Sequence, residues 1–167
     1  MYLPCSRGYS KKVLIFFHGN GEDLGTAYQL CDQIRSSLDL NVFGVEYPNY
    51  GVYEDPDGAS EEKILRDAEL VYNFVLDVTK TQEEDILVMG RSLGSGPATH
   101  LAAKYNPGHL LLMSPYTSIK SVATSKVGFL AFLVAQKFDN LSKMHKISCP
   151  TFILHGQRDT IIPIEQS

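Results

Sequence analysis

Apolar and polar positions along the chain follow two different periods, one typical of buried strands and one typical of amphipathic helices. Apolar runs predict five strands, at residues 13–17, 41–47, 85–89, 109–113 and 151–154. The run at 13–17 is continuous and rich in β-branched and aromatic residues, as expected of a strand buried on both faces. Apolar residues at helical spacing predict helices over 24–38, from Ser60 onward, and over 93–105. Strands that alternate with helices in this way predict an α/β fold, a mostly parallel sheet with helices on both faces.

Residues 114–150 interrupt this alternation. They separate the fourth predicted strand from the fifth and have the composition of a short helical or irregular insertion, which is where a lid over a site would lie. Apolar side chains cluster inside it, and two interpretations stay open: an acyl channel with peripheral membrane contact, or ordinary core contact of a lid helix. The apolar residues are Val127, Phe129, Leu130, Phe132, Leu133 and Val134.

The composition narrows the class of protein. With 167 residues, 44% of them hydrophobic and 20% charged, the chain is expected to form one globular domain over residues 1–167. A net charge of −4 argues against a nucleic-acid partner. Three widely spaced cysteines favour reduced thiols and a cytoplasmic location. Neither metal-ligand spacing nor a dinucleotide fingerprint occurs, so no metal and no cofactor are expected.

The turn after the third predicted strand is the strongest candidate for chemistry. It reads Gly90-Arg91-Ser92-Leu93-Gly94, with a glycine two residues on either side of a serine. A serine alcohol is a useful nucleophile only when a base takes its proton and its oxygen is exposed, and a sharp strand-to-helix turn provides the exposure. The alternative is a glycine-rich turn that packs a helix on a sheet. The strand before the turn and the small-residue helix after it favour Ser92 as a nucleophile.

The loop after the first predicted strand is the candidate oxyanion loop. It reads His18-Gly19-Asn20, and an oxyanion hole in this arrangement takes one backbone N–H from this loop and one from the residue after the nucleophile. We therefore expect the Asn20 and Leu93 N–H groups to be the donors, with Gly21 as the reserve for Asn20. We expect His18 to brace the loop by hydrogen bonds and not to act as the base.

The loop after the fifth predicted strand carries the candidate acid, Asp159. The acid of a serine triad orients an imidazole and stabilises its charge, so it belongs at the carboxyl end of a strand. The chain order of serine before aspartate fits this role, and the alternative is an aspartate in a surface turn. His155, in the same strand-end turn, is expected to be a packing histidine.

Four motifs together resemble the α/β-hydrolase superfamily, and within it the intracellular α/β-hydrolase-domain group that includes protein depalmitoylases. They are HGNGEDLG from His18, YPNYG from Tyr47, GRSLGSGP from Gly90 and SPYTS from Ser114. The resemblance implies an α/β-hydrolase fold and a serine esterase or thioesterase with Ser92 as nucleophile and Asp159 as acid. Its substrate would be an acyl ester or thioester, with S-acylated proteins among the candidates.

The catalytic histidine of that family lies after one more strand, beyond the acid, and the sequence ends at Ser167 before such a position. The resemblance therefore implies a chain truncated before its base. Two other functions stay open: a catalytically inactive hydrolase-fold protein that acts as a binding module, and a serine peptidase of the same fold. The histidines present, none of which is at the family's position, are His18, His100, His109, His145 and His155.

Overall fold

The computed structural model describes residues 1–118 and 138–167. The strands in these residues are β1 (Tyr2–Leu3), β2 (Val13–Phe17), β3 (Asn41–Val45), β4 (Ile86–Arg91), β5 (His109–Met113) and β6 (Thr151–Leu154). They form one sheet in the order β1-β3-β2-β4-β5-β6. Of the neighbouring strand pairs in this sheet, β1–β3 is antiparallel and the other four are parallel. The predicted α/β class with a mostly parallel sheet is confirmed.

Helices cover both faces of the sheet, because successive side chains of a buried strand point to opposite faces. Leu14 and Phe16 of β2 pack with Ala27 and Cys31 of the first helix, while the alternate residues of β2 pack with the next two long helices. Every residue of β2 is buried, as its continuous apolar run predicts. The helices are α1 (Leu24–Leu38), α2 (Glu61–Thr79), α3 (Ser95–Lys104) and α4 (Leu141–Met144).

Side-chain caps explain where the first two helices begin. The Asp23 carboxylate accepts a hydrogen bond from Thr26 N at 2.7 Å, and the Thr26 hydroxyl accepts one from Asp23 N at 2.9 Å. These two bonds form a capping box at the start of α1. At the start of α2, the Ser60 hydroxyl accepts a hydrogen bond from Lys63 N at 3.1 Å, which confirms the predicted cap.

Several predicted boundaries differ from the structure. The strand predicted over 41–47 ends at Val45, and the strand predicted over 85–89 begins one residue later and continues to Arg91. The helix predicted from 93 begins only at Ser95, because Ser92–Gly94 form a tighter 3₁₀ turn. The sequence analysis also did not predict β1, a two-residue strand that is too short to show a period. Much of the predicted insertion at 114–150, including its apolar cluster, lies outside the described residues.

The strand β6 lies at the edge of the described sheet. It pairs with β5 alone, and all four of its residues are exposed, Phe152 by 62%. Its composition is typical of a strand flanked on both sides. Within residues 1–118 and 138–167, no helix combines the length and the apolar character needed to cross a bilayer.

Candidate active site

The backbone at Ser92 has the strained conformation of a nucleophile elbow. Its φ is +50°, in the left-handed region that residues with a side chain seldom adopt. A methyl group on Gly90 would lie 2.2 Å from the Gly94 carbonyl oxygen, and one on Gly94 would lie 2.1 Å from the Phe17 carbonyl oxygen. Both contacts are with backbone atoms, so neither can be relieved by a side-chain rotation. Close packing therefore requires both glycines of the GRSLG motif, Gly90 within the turn itself and Gly94 against the end of β2.

The strand register brings the loops that carry the candidate residues to one edge of the sheet. Phe17, the last residue of β2, is paired with Gly90 of β4, and Arg91 is paired with Met113 at the end of β5. Met113 is in turn paired with Leu154, the last residue of β6. The turn at Ser92 and the loop after β6 thus follow strands that are two strand spacings apart, or about 10 Å, at the same carboxyl end of the sheet.

The loop after β2 is held from several sides. His18 is fully buried, with Nδ1 2.9 Å from the Gly19 carbonyl oxygen and Nε2 2.7 Å from Glu46 Oε1. The Tyr47 hydroxyl donates a hydrogen bond to the His18 carbonyl oxygen at 2.8 Å. Burial raises the pKa of Tyr47 well above its ordinary value, so this hydroxyl keeps its proton. These contacts fit the predicted bracing role of His18, since both of its ring nitrogens face oxygen atoms within the loop or its neighbour.

The backbone N–H of Asn20 is available as a donor, while the side chain of Asn20 is bound to Tyr50. The Tyr50 hydroxyl donates a hydrogen bond to the Asn20 side-chain oxygen, and burial, followed by the Glu46 carboxylate, raises the pKa of Tyr50. Within residues 1–118 and 138–167 the Asn20 N–H has no acceptor, and the same holds for Gly21. Leu93 lies in the 3₁₀ turn Ser92–Gly94, and N–H groups in a first turn have no partner within the helix.

Glu22 occupies the remaining N–H of this loop. Its Oε2 accepts a hydrogen bond from Gly19 N at 2.8 Å, and its Oε1 forms an ion pair with Arg91, the residue before Ser92. Because Gly19 N is bound to this carboxylate, it does not compete with the predicted Asn20 donor. A methyl group on Gly19 would lie 3.6 Å from Ser92 Cβ, so the loop and the serine are in direct contact range.

Asp159 is held by the backbone of its own loop. Its Oδ1 accepts hydrogen bonds from Ile161 N at 2.8 Å and Ile162 N at 2.9 Å. Burial raises its pKa, but the hydrogen bonds from Ile162 and Ile161, with a further one from Ser114 at the end of β5, outweigh burial and lower the pKa of Asp159 below its ordinary value. The carboxylate is therefore ionised at neutral pH, as the acid of a triad must be.

None of the chain's five histidines is placed as a base between Ser92 and Asp159. His155 Nε2 lies 2.8 Å from the Ile162 carbonyl oxygen and 3.7 Å from Asp159 Oδ2, and its Nδ1 contacts the Ser167 hydroxyl, which agrees with a packing role. His100 is paired with Glu69 at 2.7 Å on the helix pair α2 and α3. His109 begins β5, at the end of the strands opposite to the one that Ser92 follows, and His145 follows α4.

Three residues in the described parts of the predicted insertion, Tyr116, Phe138 and Asn140, contact the elbow turn or the helix α3 that follows it. The Tyr116 hydroxyl donates a hydrogen bond to the Leu93 carbonyl oxygen at 3.2 Å. Asn140 donates from its side-chain amide to Tyr116 O at 3.0 Å and to the Ser95 hydroxyl at 3.3 Å. Phe138 is fully buried against Gly96.

Four further residues near the candidate site were not predicted from the sequence: Glu22, Glu46, Tyr50 and Arg91. Glu46 could have been found from the sequence, because it directly follows the strand β3. Residues at the carboxyl ends of parallel strands lie where sites form. No comparable signal joins Glu22 to Arg91, which are far apart in the sequence. Within the described part of the chain, no group of three or more histidine, cysteine, aspartate or glutamate side chains could hold a metal ion.

Solved structures share this fold at low sequence identity. An α–β serine hydrolase homologue from Coxiella burnetii superposes with a TM-score of 0.76 at 15% identity, covering 99% of this chain and 71% of that one. No protein-family model matches the sequence. The architecture is therefore that of the α/β hydrolases.

Relatives in sequence carry the same family name. The chain is 30% identical over 162 residues to the putative alpha/beta hydrolase L404 of Acanthamoeba polyphaga mimivirus, covering 96% of this chain and 60% of that protein. The fold is that of the α/β hydrolases, and nearly the whole chain is similar in sequence to proteins of that name. It is also 30% identical over 165 residues to the human alpha/beta hydrolase domain-containing protein 17B, covering 97% of this chain and 54% of that protein. The chain thus spans somewhat more than half the length of these relatives.

Proposed function

We propose that this chain carries the nucleophile, the acid and the oxyanion donors of a serine hydrolase that cleaves carboxylic esters or thioesters. The observation that supports this most directly is the elbow at Ser92, whose φ of +50° holds the serine in a turn packed against the loop that contains Asn20. A turn that served only to pack a helix on a sheet would not require a strained serine. The strain favours a functional reason for that residue.

In the proposed reaction, Ser92 Oγ attacks the acyl carbonyl carbon while a base removes its proton. The negative charge that develops on the carbonyl oxygen is stabilised by the N–H groups of Asn20 and Leu93. The bond to the alcohol or thiol breaks as that group takes a proton, which leaves an acyl group on Ser92, and water then releases the acid by the reverse sequence. Asp159, ionised at neutral pH, would orient and stabilise the imidazole base.

The base in this proposal is a histidine that follows Asp159 in the chain order serine, acid, histidine. Residues 160–167 contain none. We therefore expect the 167 residues alone to hydrolyse esters poorly, since oxyanion donors and binding leave only about 10³–10⁴-fold acceleration when the triad is incomplete. A version of the chain extended past the next histidine should be far more active in the same p-nitrophenyl ester assay.

Among esters and thioesters, S-acylated proteins are the substrate class that we propose, on the similarity to the depalmitoylase-containing group. A cytoplasmic protein that contacts membranes peripherally would meet such substrates. Hydrolysis of a palmitoyl thioester, compared with an oxyester of the same chain length, tests this choice. A strong preference for the oxyester would contradict this substrate class and indicate an esterase instead.

A fluorophosphonate probe tests the nucleophile directly, because it reacts covalently with an activated serine. We expect the full-length protein, as cells express it, to be labelled at one residue, and Ser92→Ala to abolish the labelling. Ser36→Ala, at an exposed serine of α1, is the matched control and should label like the wild type. Continued labelling of the Ser92→Ala protein at a single site would show that the nucleophile lies elsewhere.

One observation favours a second candidate function, a hydrolase-fold binding module without catalysis. None of the five histidines is placed as the base, so a protein that supplies no further histidine could bind an acyl group beside Ser92 without cleaving it. The same labelling experiment distinguishes the two functions. A full-length protein that binds a fatty-acyl ligand but fails to label would support the binding module.

A further inference from the structure

One carboxylate connects the oxyanion loop to the nucleophile elbow. Glu22 Oε2 accepts the hydrogen bond from Gly19 N at 2.8 Å, while Glu22 Oε1 forms the ion pair with Arg91. Gly19 lies in the loop after β2, and Arg91 is the last residue of β4, directly before Ser92. Glu22 therefore bridges two segments whose relative position determines where an oxyanion would sit.

The same carboxylate is close to the reacting region. A methyl group on Gly19 would lie 3.1 Å from Glu22 Oε2 and 3.6 Å from Ser92 Cβ, so the carboxylate and the serine both lie next to this glycine. The side chain of Glu22 is 22% exposed, which leaves its charge only partly screened by water. A negative charge in this position opposes the negative charge that forms on the acyl oxygen.

Arg91 offsets this effect. Its positively charged guanidinium is paired with the Glu22 carboxylate. The pair as a whole is neutral, so Glu22 can hold Gly19 N without placing a net charge beside the oxyanion. An uncharged acceptor at position 22 would hold Gly19 N but could not attract the guanidinium.

We propose that Glu22 and Arg91 are positioning residues for acyl transfer, with Glu22 fixing the oxyanion loop and Arg91 joining it to the elbow and neutralising its carboxylate. The inference rests on the proposed function of Ser92 and Asn20. Neither side chain touches the reacting atoms, so both act through the loop and through their charges.

This proposal predicts an unusual pattern of coupling. Arg91→Gln leaves the Glu22 carboxylate uncompensated, whereas Glu22→Gln removes that charge and keeps an oxygen for Gly19 N. The Arg91→Gln variant should therefore be slower than the variant with both changes. A pair that contributed only to folding would show the opposite order, because the double variant would have lost at least as much stability.

The test is saturation kinetics of fluorophosphonate labelling on the full-length protein, as cells express it. We expect Arg91→Gln to lower the maximal labelling rate about tenfold at an unchanged half-saturating probe concentration, since the lost interaction is with the developing charge. We expect Glu22→Gln/Arg91→Gln to recover to within about threefold of the wild type. Arg91→Lys, which keeps the positive charge, should recover most of the rate even if Arg91→Gln folds poorly.

A distant pair of the same chemistry provides the matched control. Arg35 and Asp32 form an ion pair on α1, and Arg35→Gln with Asp32→Asn should leave the labelling rate unchanged. Equal rates for Arg91→Gln and the double variant, or losses that follow the melting temperature, would overturn the inference while Ser92 still labels. A wild-type protein that does not label at Ser92 would instead overturn the proposed function, and this inference with it.

Discussion

Ser92 follows a strand with neighbours on both sides, whereas Asp159 follows a strand at the edge of the described sheet. β4 lies between β2 and β5, and the turn after it is packed so closely that its glycines touch backbone on either side. β6 has β5 as its one strand partner in the described sheet, and Phe152, Ile153 and Leu154 are 62%, 41% and 52% exposed.

The two sides of the candidate site therefore hold their functional groups by different means. Steric contact with β2 fixes the conformation of Ser92, while hydrogen bonds within one short loop fix the Asp159 carboxylate. Steric contact tolerates no added atom, and local hydrogen bonds tolerate small changes in the surrounding backbone. Changes on the nucleophile side should thus cost folding stability, and changes on the acid side should mainly cost activity.

Asp159→Asn gives the largest expected effect on the acid side. The amide keeps an oxygen for the N–H groups of Ile161 and Ile162 but cannot stabilise a charged imidazole, so we expect kcat to fall about 10⁴-fold. This change in kcat can be measured by p-nitrophenyl ester hydrolysis, with a form of the protein that includes the base. Asp77→Asn, at an exposed aspartate of α2, is the control. An unchanged kcat would show that another group is the acid.

Two glycine-to-alanine changes test whether the nucleophile side contributes more to folding stability than the acid side. Gly94→Ala would place a methyl group 2.1 Å from the Phe17 carbonyl oxygen, and we expect a loss of about 3 kcal/mol in the free energy of unfolding. Gly156→Ala, in the loop before Asp159, meets nothing nearer than 3.9 Å and should change it by less than about 0.5 kcal/mol. Urea denaturation measures both. Similar losses would contradict the difference between the two sides.

The exposed apolar side chains of β6 predict self-association through that edge. A lysine on an edge strand opposes pairing with another chain, so Phe152→Lys should increase the fraction of monomer in the 167-residue chain. Size-exclusion chromatography with light scattering measures this fraction. Val52→Lys is the control, because Val52 is 96% exposed but lies in a loop. An equal gain from both changes would indicate a general effect of charge.

The smallest expected effect concerns pH. Because the pKa of Asp159 is lowered in the fold from its ordinary 3.8, its ionised form stabilises the protein above that pH, and this contribution is lost as the pH falls through the lowered pKa. The melting temperature of Asp159→Asn should thus be lower than that of the wild type by about 2 °C or less at pH 7, and the difference should shrink below pH 3.8. A difference that grew in acid would contradict the direction of the pKa change.

The sequence was most informative where burial is complete. The strand Val13–Phe17 and the helix Leu24–Leu38 were predicted with their observed boundaries, because an unbroken apolar run and a full helical period leave few alternatives. β1 could not be found, since two residues carry no period. β6 has the composition of an interior strand, but composition records what a strand can pack against, not which neighbours it has in the described sheet.

The position of Ser92 in an elbow followed from the spacing of its glycines, which is a local property of the chain. The Glu22–Arg91 pair could not be predicted, because it depends on the register that places the end of β2 beside the end of β4. Asp159 was predicted from chain order and strand position. The hydrogen bonds that lower its pKa depend on the turn at Ile161 and Ile162, which the sequence does not specify.

The long excursion between β5 and β6 has a consequence for how the protein folds and unfolds. Leu110 pairs with Thr151, so β6 joins the sheet only after a long segment has closed, which is entropically costly and slow. In the described sheet β6 has β5 as its one neighbour, so in the 167-residue chain it can detach in a local opening that leaves β2, β4 and the elbow in place. Such an opening would move Asp159 away from Ser92 while most of the circular-dichroism signal persisted. In mild denaturant the 167-residue chain would therefore lose the arrangement of the candidate site before the rest of the sheet unfolded.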